Sequence, residues 1–163
     1  MFEARKKKHT LLSPATGRLL PLEEVPDEAF SSGMLGKGFA INPTEGSIYC
    51  PLDATLSSIA EGKHAYTLTT YDGLDLLIHV GVDTVELDGQ GFSPVASAGD
   101  TLHAGDVIAR FAPDKIRAGG LCTYVITLVT NPEALQEFSV ATTEGNLTGG
   151  RDSAASYRIS KKG

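Results

Sequence analysis

Residues 73–84 read GLDLLIHVGVDT, and the fold turns on how this stretch is read. Side chains alternate across a β-strand, so residues two apart share a face. Leu74, Leu76, Ile78, Val80 and Val82 then make one wholly apolar face, which must be core. Asp75, Leu77, His79, Gly81 and Asp83 make the other. His79 therefore stands on the second face, between Leu77 and Gly81, and is not a core histidine. Gly81 has no side chain, so another layer or a partner backbone can approach the imidazole closely. Parity alone leaves open the plainer reading, an exposed histidine on a strand.

The preceding stretch, EGKHAYTL (61–68), places His64 at the start of the strand before. The turn TTYDG (69–73) lets that strand fold back. An antiparallel hairpin centred near Asp72 and Gly73 sets residues 64–67 opposite residues 78–81. Two histidines then meet at one site.

Further out, the pattern is all-β. The 163 residues include 18 Gly and 8 Pro. Turn signals such as SPATG, NPTEG, LDGQG and HAGD recur roughly every 8–12 residues. The runs GSIYC, AYTLTTY, DVIARF and CTYVITLVT read as strands. An antiparallel β-sandwich or barrel follows. Short helices are expected at NPEALQEF (131–138), where Asn131 caps and Pro132 opens the helix. Others are expected at PDKIRAGG (113–120), stopped by Gly119, and within EVPDEAF (24–30). PATGRLLPL (14–22) and PLDATLSSI (51–59) share a pattern, and AGDTL is echoed by AGDVI. Both hint at internal duplication.

Length suits one domain, taken as residues 11–160 behind a flexible basic tail at 1–10. The tail holds Arg5, Lys6, Lys7 and Lys8 and reads as a solvated terminus. Residues 10–160 carry 8 basic and 19 acidic side chains, a net of −11. Nucleic-acid binding wants a basic face, so this balance argues for a partner with a basic surface instead. No apolar run approaches the ~18 residues of a membrane span, and the N-terminus lacks a secretory pattern. A cytoplasmic protein with two free thiols, Cys50 and Cys122, is expected.

Paired histidines without a catalytic Cys, Ser triad or metal quartet suit phosphoryl transfer. A neutral imidazole is nucleophilic, and its ordinary pKa lies near physiological pH. One ring nitrogen can be fixed by a carbonyl while the other attacks phosphorus. Such chemistry needs mainly positioning and charge stabilisation.

The stretch GLDLLIHVGVDT resembles the signature of the glucose-type IIA domain of the bacterial phosphoenolpyruvate-dependent sugar phosphotransferase system. The resemblance continues through SPATGRLLPLEEVPDEAFSSGMLGKGFAINPTEG, HAYTL, VELDGQGF and AGDTLHAGDVI. It implies a phosphocarrier: His79 accepts a phosphoryl group on Nε2 from the carrier HPr and passes it to a cysteine of a IIB domain. The IIB domain serves a membrane IIC sugar permease, which would be the chain's only link to the membrane. His64 would stabilise the transferring group. Asp27 and Asp83 would meet basic partner residues, with Phe30, Leu77 and Gly81 around the site. No cofactor is implied and no metal is required, though His64 and His79 could serve as zinc ligands. The sequence departs from the family at Gly62, where a Thr is usual, and at Ala60 and Leu77, where aromatics are usual. The missing hydroxyl puts a hydrogen-bond relay to His64 in doubt.

Three rival readings compete with this one. A zinc peptidase of related β architecture would use His79 and Asp83 but needs a further His-x-His pair; His103 has no such neighbour. A biotin- or lipoyl-bearing module needs a Lys in a tight hairpin. A regulatory protein, binding partners according to its phosphorylation, remains the main alternative.

Overall fold

A computed structural model describes residues 7–142 and 145–160. The largest sheet has eight antiparallel strands. In chain order these are β2 (Gly17–Pro21), β3 (Lys37–Pro43), β5 (Ala54–Ile59), β6 (Ala65–Thr69), β7 (Asp75–Val80), β9 (Thr101–Leu102), β11 (Val125–Val129) and β13 (Asn146–Leu147). They lie in the order β13-β2-β3-β11-β7-β6-β5-β9. Two three-stranded sheets complete the set. One orders β1 (His9–Leu12), β14 (Ser153–Ile159) and β12 (Leu135–Val140); the other orders β4 (Ser47–Tyr49), β10 (Val107–Phe111) and β8 (Phe92–Pro94). The large sheet ends in two separate edges, β13 and β9, so the architecture is layered sheets and not a closed barrel.

The main core fills the space between the large sheet and the two small ones. Phe39, Ile41, Leu56, Tyr66, Leu68, Ile78 and Val125 come from the large sheet; Leu11, Tyr157, Ile48, Ile108 and Phe111 face them. Leu74, Leu76, Ile78 and Val80 are fully buried, as strand parity requires. Val82 is buried too, but in a second cluster on the opposite face, with Leu20, Ala40, Ile126 and Leu128. The strand stops at Val80, and the turn at Gly81 carries Val82 across. This second face is roofed by Leu22, Val25 and Phe30. These come from the excursion between β2 and β3, which contains α1 (Glu28–Ser31). His79 emerges at the rim of that roof, which answers why a strand so apolar carries a histidine.

The hinted duplication is real. Ser13 N–H donates to Asp152 O at 2.7 Å, and Cys50 N–H to Asp106 O at 2.7 Å. Gly150 N–H reaches Ser13 O, and Gly105 N–H reaches Cys50 O, both at 2.8 Å. The halves also bond each other reciprocally: Leu12 N–H to Pro51 O and Tyr49 N–H to Pro14 O. Leu147 pairs with Gly17 as Leu102 pairs with Ala54. PATG and PLDA thus lead into strands that sit second from each edge of the same sheet.

Several local expectations are corrected. NPEALQEF is not a helix. Only Pro132–Ala134 makes a 3-10 turn, and Leu135 begins β12, which pairs with β14. Asn131 does not cap it; its side chain accepts from Asp75 N–H and donates to Gly73 O instead. The expected helix at 113–120 does form as α2 (Pro113–Ala118), but Gly120, not Gly119, takes the left-handed conformation. Gly120 N–H bonds Arg117 O and Leu121 N–H bonds Ile116 O, the Schellman pattern. The tail boundary drawn at residue 10 falls inside β1: His9 and Thr10 pair with Tyr157 and Ser156. Residues 1–6 of that tail lie outside the described residues.

Candidate active site

The hairpin register decides which side chains meet. Ala65 lies opposite His79 and Thr67 opposite Leu77, one residue away from the expected pairing. His64 is not in the strand, which starts at Ala65. It closes a tight turn in which Ala60 N–H bonds Ala65 O, Lys63 N–H bonds Ala60 O, and Lys63 takes a φ of 63°. This turn re-aims the His64 side chain, and its ring centroid comes to 5.0 Å from that of His79, at 77°. Val80 N–H donates to His64 O at 2.8 Å and holds the two segments together. The two histidines therefore meet as expected, by a different local route.

The His79 ring nitrogen Nδ1 lies 2.7 Å from Gly81 O. A carbonyl only accepts, so Nδ1 carries the proton and Nε2 the lone pair. Burial pushes the His79 pKa below the ordinary imidazole value. The Gly81 hydrogen bond opposes this, His64 adds to it, and the charges of Asp27 and Asp83 oppose it in turn. The ring is thus held neutral around neutral pH. Burial likewise lowers the pKa of His64. The Gly62 backbone beside the ring opposes that shift, although Nδ1 is buried without a well-formed hydrogen bond. A Cβ at Gly62 would lie 2.8 Å from that Nδ1, so the glycine gives the ring its room. The relay that was in doubt is indeed without its hydroxyl here.

Gly81 is fixed at this position by two constraints. Its φ is +80°, and a Cβ would come 2.4 Å from Thr84 Cγ2 and 2.8 Å from Cys122 O. Its N–H bonds Tyr124 O, which anchors the turn to β11's approach. Asp83 also adopts the left-handed region, at φ 60°. Asp27 caps α1 by accepting from Ala29 N–H at 2.9 Å, so its carboxylate is tied to the roof. Phe30 is buried, with its ring centroid 5.1 Å from His79. Leu77 is half-buried against the same cluster. Phe92, from β8, sits 6.5 Å from His64 and was not anticipated; nothing local in GQGF marks it. Among the described residues no three His, Cys, Asp or Glu side chains converge as a metal site. His103 lies elsewhere, 3.8 Å from Asp53. Cys50 and Cys122 are both free thiols, and burial raises the pKa of each.

Residues 9–135 match the family model of the phosphoenolpyruvate-dependent sugar phosphotransferase system, EIIA 1. The chain belongs to this family. It is accordingly a phosphocarrier component of the sugar phosphotransferase system. It is 35% identical over 135 residues to the glucose-specific EIIA component of Staphylococcus aureus strain COL, covering 83% of this chain and 81% of that one. It is 42% identical over 127 residues to the β-glucoside-specific EIIBCA component of Dickeya chrysanthemi. That match takes in 78% of this chain but spans only 20% of the Dickeya protein. Among solved structures, glucose permease IIA from Mycoplasma capricolum superposes with a TM-score of 0.82 at 29% identity, covering 95% of this EIIA chain and 99% of that one. Among the described residues no helix is long and apolar enough to cross a membrane.

Proposed function

We propose that His79 is the residue that carries the phosphoryl group. Its Nε2 lone pair attacks the phosphorus of a phosphohistidine on HPr. The new P–N bond forms at Nε2 as the donor's P–N bond breaks and its electron pair returns to the donor imidazole. Throughout, the proton stays on Nδ1, hydrogen-bonded to Gly81 O. A cysteine thiolate of a IIB domain then attacks the phosphorus, and the Nε2 pair is restored. The IIB domain would pass the group to a sugar taken up by its permease; the name of the fused Dickeya protein fits that association. The EIIA chain would then work at the inner face of the membrane without entering it.

The observation that carries this reading is the 2.7 Å contact between His79 Nδ1 and Gly81 O. It selects the tautomer whose Nε2 is nucleophilic, and the depressed pKa keeps it unprotonated. His64 packs edge-on against His79, which supports a role in donating to phosphoryl oxygens as their charge shifts. Asp27 and Asp83 supply negative charge near the ring, which suits a basic docking partner.

The test is incubation with phosphoenolpyruvate, enzyme I and HPr, followed by mass spectrometry at alkaline pH. One phosphoryl group should appear at His79, and His79→Gln should lose it. A second label, or label at Cys50, would overturn the assignment.

A further inference from the structure

Thr84 is fully buried against the turn that follows His79, and the sequence gives it no role beyond its place in the motif. Its hydroxyl donates to Val80 O at 2.6 Å. Its methyl group occupies the space that Gly81 leaves by having no side chain: a Cβ there would lie 2.4 Å from Thr84 Cγ2. Both arms of this one side chain therefore grip the Val80–Gly81 unit.

That unit is where the site is assembled. Val80 N–H donates to His64 O, and Gly81 O accepts the hydrogen bond from His79 Nδ1–H. Gly81 takes a φ of +80° at no steric cost, but Asp83, which has a Cβ, takes one of 60°, so the turn carries strain at Asp83 and must be held from outside. Gly81 N–H to Tyr124 O and Val82 N–H to Cys122 O hold it on the β11 side. The remaining grip comes from Thr84.

We propose that Thr84 is a positioning residue for phosphoryl transfer: its hydroxyl, bonded to Val80 O, fixes the Gly81 carbonyl that selects the reactive tautomer of His79. This rests on His79 being the acceptor. Thr84 touches neither phosphorus nor ring. With the hydroxyl gone, the turn relaxes, Gly81 O drifts from Nδ1, and the proton is shared between Nδ1 and Nε2. The Nε2-protonated fraction cannot attack.

Two variants separate the arms. Thr84→Val keeps the methyl and loses the donor; Thr84→Ser keeps the donor and loses the methyl. Nitrogen-15 NMR of the unphosphorylated protein reads the His79 tautomer directly, without any transfer partner. Thr84→Ser should keep the Nδ1–H form and transfer at close to the parent rate. Thr84→Val should show both tautomers and accept from phospho-HPr about tenfold more slowly, the scale set by one lost hydrogen bond. If Thr84→Val does not fold, Thr84→Ala against Thr84→Ser makes the same comparison on a shortened side chain. A hydroxyl-free variant that keeps a single Nδ1–H tautomer overturns the proposal, as does a Thr84→Ser protein that loses it. If instead phosphoryl label is absent from His79 in the parent protein, the acceptor assignment fails, whatever the tautomer shows.

Discussion

Replacing Gly81 by alanine probes fold and site in one step. At φ +80° an L-residue pays about 1–2 kcal/mol of backbone strain. The added Cβ must also be accommodated 2.4 Å from Thr84 Cγ2 and 2.8 Å from Cys122 O. The first is a buried methyl and the second is backbone, so neither can swing away, and overpacking of this kind costs roughly 1–3 kcal/mol. Together the loss is about 2–5 kcal/mol, which for a domain of this size lowers the melting temperature by roughly 5–20 °C. The control is Gly73→Ala. Gly73 has φ +91° but nothing within 4 Å of its added Cβ, so only the strain remains. Thermal unfolding followed by circular dichroism should therefore show a drop for Gly81→Ala well beyond that for Gly73→Ala. Acceptance from phospho-HPr should slow in the first and stay near normal in the second, because only Gly81 O holds the His79 ring. Equal and small melting shifts for the two variants, with equal transfer rates, would refute the packing argument and the role of the turn together.

Thr127→Val should stabilise the protein by about 1 kcal/mol in urea unfolding, because the Thr127 hydroxyl is buried in the sheet with no partner; a lower urea midpoint would show that it is satisfied. His64→Gln should still accept phosphoryl from HPr yet pass it on slowly in a coupled sugar phosphorylation assay; loss of acceptance as complete as in His79→Gln would mean the two rings share the covalent role. Both histidines have lowered folded pKa values, so the unfolded chain binds more protons as pH falls below the ordinary imidazole value near 6.5. Their contribution is therefore complete above that pH and is lost on acidification, and a His64→Gln/His79→Gln protein should show a flatter melting curve between pH 8 and 5, as scanned by calorimetry (about 6.5 being the turning point). Finally, transfer from HPr should slow as added salt shortens screening to about 3 Å near 1 M, and Asp83→Asn should reproduce much of that loss; stopped-flow rates flat with salt would leave the apolar rim as the main recognition element.

Much of this was legible in the chain itself. Period-two alternation over 74–80 fixes β7 and its buried face, because a strand has no other way to sort its side chains. The repeats PATG and PLDA foretell the duplicated halves, because each needs the same turn to enter the same sheet. The signature GLDLLIHVGVDT points to the family by its resemblance to the family's motif, and the Gly81 and Asp83 it contains take the positive φ values of the turn after His79. Several of the misread elements were settled at a distance. Leu135–Val140 carries helix-start signals just before it, yet becomes a strand because β14 offers it a ladder of hydrogen bonds, and Asn131 is drawn off to the Gly73–Asp75 turn. His64 lies just before β6 with its carbonyl bonded to Val80 N–H, and the turn at Lys63, with its positive φ, brings its ring to His79. Phe92 reaches the site from another sheet, and Thr84 reaches it by folding back under Gly81. Local pattern sets what each residue prefers; tertiary pairing sets which preference is overruled, because a buried hydrogen bond left unmade costs more than a helix propensity gains.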